Sequence, residues 1–99
     1  MEIAKKLPPG LEAKGSSPTF TADTIPDALL NDHSLAANRW GLLHLHEGEV
    51  VFIDLATGTE HTMTAPNELV IRPETPHKLR LAGPFKLHID FYRAPREDG

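Results

Sequence analysis

The chain has 99 residues, which is room for one domain with a small core. It is too short for a TIM barrel or for the two halves of a dinucleotide-binding fold. A formal charge of −4 argues against a nucleic-acid binder and against docking on anionic membranes, both of which favour a basic surface. The absence of cysteine excludes disulfides, thiolate zinc sites and thiol nucleophiles.

The first ten residues, MEIAKKLPPG, lack the apolar stretch of a signal peptide. The longest apolar runs, such as 50–53, are far too short to span a bilayer. The expectation is a soluble, cytoplasmic domain with no membrane or nucleic-acid partner. Nine prolines and seven glycines punctuate the chain and point to β-structure with many turns. Six histidines in so short a chain raise the question of a metal or proton-transfer site.

In chain order, residues 1–23 read as an extended arm with a strand near 19–21. Residues 24–30 suit one helical turn or a short strand, with Pro26 at the front. Residues 40–46 and 49–55 read as two strands joined by a turn at Glu47-Gly48. A turn at Thr57-Gly58 leads to a polar edge strand at 60–64, and residues 68–71 read as a short buried strand. The last two strands, 77–81 and 85–92, flank Ala82-Gly83-Pro84. No amphipathic helix of ten or more residues is visible. Short strands with regular turn signals predict an all-β sandwich or barrel.

The last hairpin carries a geometric expectation. With Gly83 and Pro84 as its central pair, His77 faces Asp90 and Leu79 faces His88, close enough for a shared hydrogen bond or metal. A three-residue loop would shift that register by one. Along 85–92, Phe85, Leu87, Ile89 and Phe91 share one face, and Lys86, His88, Asp90 and Tyr92 share the other.

The segments TIPDALLNDH, WGLLHLHEGEVVFIDL, VIRPETPH and FKLHIDFYRAP, in that order and spacing, resemble the cupin superfamily over about three-quarters of the chain. Within it they are similar to the small YeaR-type cupins and to the domain at the N-terminus of some TehB tellurite-resistance proteins. The resemblance implies a double-stranded β-helix, a small β-barrel or jelly roll, with residues 24–95 as the barrel of a single domain. It also implies a divalent metal held by a His-x-His pair and a Glu from a first motif and a His from a second. His77, after Pro76, takes the second-motif place.

Two registers compete for the first motif. One uses His44 and His46 with Glu47 or Glu49. The other, which we prefer, puts the first His at His33 and leaves Leu35 and Trp40 where a His and a Glu would stand. The general site is then incomplete, and a substitute set follows: His33, His77 and Asp90, with His44 on the same inward face as a fourth ligand. Such ligands suit zinc, iron, nickel or manganese. A catalytic metal would act as a Lewis acid or activate water or oxygen.

Plain structural roles compete with each assignment. His77 can open a strand and donate to a backbone carbonyl. Asp90 can pair with His88, Lys86 or Arg80, or orient His77. His44 and His46 can sit in the barrel interior or at a dimer contact. His61 facing Asp54 would form a surface pair, and Trp40 would pack at the pocket. The expected function is a metal-binding pocket for a small polar ligand, linked by resemblance to tellurite or nitrogen-oxide stress. The alternative is a metal-free, non-catalytic binding or sensing module. A homodimer is compatible with both.

Overall fold

A computed structural model describes residues 7–31 and 34–94. Its elements are β1 (Glu12–Ser16), β2 (Phe20–Thr21), α1 (Asp27–Leu30), β3 (Arg39–Asp54), β4 (Thr59–Thr64), β5 (Asn67–Ile71) and β6 (His77–Arg93). All six strands belong to one antiparallel sheet. Its path runs β1-β6-β3-β4, with β2 also beside β6 and β5 beside β3. The all-β class expected from the turn spacing is what forms. The single helical turn of α1 follows Pro26, whose fixed φ suits a helix start.

Two expected hairpins are absent. Residues 39–54 form one strand, and so do 77–93, and the two pair along their whole lengths. Arg39 faces Arg93 at one end of the ladder and Asp54 faces His77 at the other. The chain therefore does not reverse at Glu47-Gly48 or at Gly83-Pro84. Register shifts between Leu45 and Glu47 and between Gly48 and Val50 mark bulges instead. Gly48 has φ 82°, the left-handed value that both a tight turn and a glycine bulge demand. A Cβ there would overlap the Pro84 carbonyl and lie 2.8 Å from Phe85 Cα, so the two paired strands are in close backbone contact at the bulge.

This pairing cancels the expected opposition of His77 and Asp90. Asp90 faces Leu42 instead, and His88 faces His44. His61 faces Phe52 rather than Asp54, because the β3–β4 loop closes with Asp54 opposite Thr59. Asp54 is buried, and its carboxylate accepts from the Ala56 amide at 2.9 Å, an Asx turn that fixes the loop. The polar strand β4 ends the sheet path, as expected of an edge. Part of the N-terminal arm is sheet as well, since β1 and β2 both pair with β6.

The core follows the period-2 alternation of the strands. Leu43, Leu45, Leu69, Ile71, Leu87 and Ile89 come from the half of the sheet that carries β5. Val50, Phe52, Met63 and Leu79 come from the half that carries β4. They form a single cluster, so the sheet folds over itself and the halves share one interior. Leu43, Leu45, Leu69 and Leu87 are essentially sealed from solvent. Burying each such side chain stabilises the fold by about 1.5–3 kcal/mol.

Candidate functional site

Two places in the molecule gather chemistry, on opposite faces of the sheet. The inner one is a pocket of about 220 Å³ lined by apolar residues that include Phe20, Leu29, Leu35, Ile71, Ile89 and Phe91; among the described residues its polar side chains are Ser17 and His77. Part of its room comes from Gly41. A side chain there would press on Ile71, Ile89 and Leu35, each 3.4 Å from the position of a Cβ. Ser17 is committed to the backbone on both sides. Its hydroxyl donates to the Pro18 carbonyl at 2.8 Å and accepts from the Ile89 amide at 2.9 Å. His77 is only 3% exposed, and its ring stacks on Phe52 with centroids 5.3 Å apart. Its Nδ1 lies 2.7 Å from the Thr75 carbonyl oxygen. A carbonyl can only accept, so Nδ1 carries a proton and donates it. That is the backbone-donating role open to a histidine after proline.

The outer place is a histidine cluster on the other face of β3 and β6. In β3 the odd residues Gly41, Leu43 and Leu45 are buried, which turns Leu42, His44 and His46 outward. In β6 Phe85, Leu87 and Ile89 are buried, which turns Lys86, His88 and Asp90 outward. His44 is thus on the outer face and not the inward one expected. The rings of His44, His46 and His88 form a nearly parallel array with His88 in the middle. His88 stacks on His44 at 4.6 Å and 11°, and on His46 at 4.8 Å and 12°.

Hydrogen bonds tie the cluster together. His44 Nε2 is 2.8 Å from Asp90 Oδ2, and His88 Nε2 is 3.1 Å from Asp90 Oδ1. The far nitrogens are also engaged. His44 Nδ1 is 2.8 Å from Glu68 Oε2, and His88 Nδ1 is 2.6 Å from His46 Nε2. The Ser16 hydroxyl donates to Asp90 Oδ1 at 2.5 Å. That hydrogen bond, ahead of those from the histidines, holds the Asp90 carboxyl below its ordinary range despite partial burial. Beside the cluster opens a groove of about 430 Å³ lined by His44, Leu45, His46, Pro66, Asn67 and Glu68.

The expected ligand set is therefore divided. Asp90 and His44 meet on the outer face, and His77 faces the interior. His33 lies outside the described residues. Among the described residues, the interior does not assemble the metal centre that the cupin resemblance implies. The group able to hold an ion is His44, His88 and Asp90, with ligand atoms within 4.8 Å of one another. His88, Glu68 and Ser16 were missed as site residues. The alternation His88-x-Asp90 beside His44-x-His46 was visible, but the pairing of β3 with β6 that joins the two was not.

Together, fold and sites define a small all-β domain: one antiparallel sheet folded over an apolar pocket, with a histidine–carboxylate cluster on its outer wall. The chain belongs to the TehB-like domain family, which matches residues 15–89. Its fold is similar to that of TehB from Haemophilus influenzae, with TM-score 0.78, 22% identity and 87% of this chain covered. The chain spans 32% of that protein's length. It is also similar to a protein from E. coli strain K12, with TM-score 0.83 and 20% identity, covering 92% of this chain and 98% of the other. A protein from Neisseria meningitidis matches with TM-score 0.58 and 18% identity, over 90% of this chain and 88% of the other. No curated protein matches the chain in sequence. Among the described residues, no helix is long and apolar enough to cross a membrane.

Proposed function

We propose that the chain is a cupin-type binding domain that holds a small, mainly apolar molecule in the inner pocket, as a non-catalytic module. The observation that carries this reading is the lining: eight apolar residues, one histidine and one hydroxyl already committed to the backbone. An apolar cavity of about 150 Å³ takes a benzene ring, so 220 Å³ suits a molecule somewhat larger. Drug-sized ligands want roughly 300–1,000 Å³ and are too large. The lining turns the reading from a polar ligand toward an apolar one. Membership in the TehB-like family supports a setting in tellurite stress, and on this reading the domain recognises a small molecule and leaves chemistry to other proteins.

Toluene is the simplest probe. We expect it to shift the methyl resonances of Leu29, Ile71 and Ile89 in a saturable way, and Leu29→Trp to abolish the shift while the domain stays folded. Saturable shifts that avoid these methyls, or none at all, overturn the reading.

A further inference from the structure

The outer wall carries a second site, unrelated to the inner pocket. We infer that His44, His88 and Asp90 bind one divalent cation of the borderline class, such as zinc or cobalt, on the solvent face of the sheet.

The geometry supplies three donors from two neighbouring strands. Both Nε2 atoms converge on the two oxygens of one carboxylate, at 2.8 and 3.1 Å. Two imidazoles and one carboxylate suit zinc and its neighbours, not the oxygen-seeking calcium or magnesium. Such a site leaves coordination positions open to water or to a ligand arriving from the 430 Å³ groove.

The far side of each imidazole is prepared for this role. A ligating histidine must present a bare Nε2, so its proton must sit on Nδ1 and find an acceptor there. Glu68 Oε2 waits 2.8 Å from His44 Nδ1, and His46 Nε2 waits 2.6 Å from His88 Nδ1. A carboxylate or other acceptor behind a ligating histidine fixes the tautomer and strengthens the ligand. Ser16 holds the third donor, Asp90, from β1. All three ligating residues are partly exposed, with side chains 21–25% accessible, so an ion can reach them.

The neighbouring mechanical parts also favour a fixed site. His44 and His88 are directly paired across a ladder, and their rings are stacked. Rigid strands hold ligand geometry better than loops do. Binding needs only that the ion take the place of the contacts between each Nε2 and Asp90, with both imidazoles neutral, Nε2 bare and the one ring proton on Nδ1.

The test is a cobalt(II) titration of the untagged full chain after chelator treatment. We expect one equivalent, with the visible absorption of cobalt in a nitrogen–oxygen site and competition by zinc. His44→Ala, His88→Ala and Asp90→Asn should each weaken binding more than about a hundredfold, since outer partners alone are worth 10–100-fold. His61→Ala, on another strand, should not change it. Zinc should also shift the imidazole resonances of His44 and His88 in the wild-type protein, a readout independent of any variant's folding. Absence of stoichiometric binding overturns the proposal. So does binding that survives His88→Ala, or zinc shifts confined to other histidines.

Discussion

His44 of β3 lies directly opposite His88 of β6, with ring centroids 4.6 Å apart and planes 11° from parallel. The two sides of this pair differ in their support: Glu68 backs His44, and His46 backs His88. Removing a backing group should weaken the ion without abolishing it. Glu68→Gln and His46→Ala should each raise the cobalt dissociation constant by about 10–100-fold at unchanged stoichiometry. Isothermal titration reads both values.

Gly48 tests the close pairing of the long strands at the bulge. Alanine there meets the Pro84 carbonyl and the Phe85 backbone at a left-handed φ of 82°. Backbone cannot move aside as a flexible side chain can. Gly48→Ala should cost about 2–4 kcal/mol, from overpacking and the positive φ together. The urea midpoint measures it. A neutral outcome would mean that the strands are not in close backbone contact here.

Leu45 and Leu87 face each other in the sheet and are 1% and 0% exposed. Each Leu→Ala change should cost about 2–5 kcal/mol. Because the two share one cavity, the double variant should lose less or more than the sum by about 0.5–3 kcal/mol. Chemical denaturation of the four proteins gives the coupling. Strict additivity would remove the contact.

His77→Phe separates the inner pocket from the outer wall. Phenylalanine keeps a ring against Phe52 but leaves the Thr75 carbonyl without its Nδ1 donor. The cost should be about 1–3 kcal/mol. Cobalt stoichiometry should remain at one equivalent, because the outer ligands are on the other face.

The Glu60–Arg80 pair gives a pH prediction. Two Arg80 nitrogens meet the two Glu60 oxygens at 3.0 and 2.6 Å. The hydrogen bonds and charge of Arg80 hold the Glu60 carboxyl below its ordinary value. A carboxyl lowered in the folded state adds stability above its unfolded value and loses it as pH falls through the folded one. Both side chains are about half exposed, so the effect is small. In Arg80→Ala the Glu60 midpoint, followed by carboxyl ¹³C shifts, should rise to the ordinary range. An unmoved midpoint would dissolve the pair.

By itself the sequence determined the all-β class, the polar edge strand at 60–64 and the two faces of residues 85–92, because alternation and turn chemistry are local. It also marked His33, His44, His77 and Asp90 as candidate metal ligands, with backbone donation by His77 as the plainer alternative. What it left undecided was whether a positive-φ glycine reverses a strand or bends it. Gly48 serves either purpose with the same backbone angle, and only the pairing of β3 with β6 selects the bulge. That pairing is a contact between segments some forty residues apart in the chain. It set His88 beside His44 and turned both away from His77, so the membership of each site was a decision of the tertiary structure.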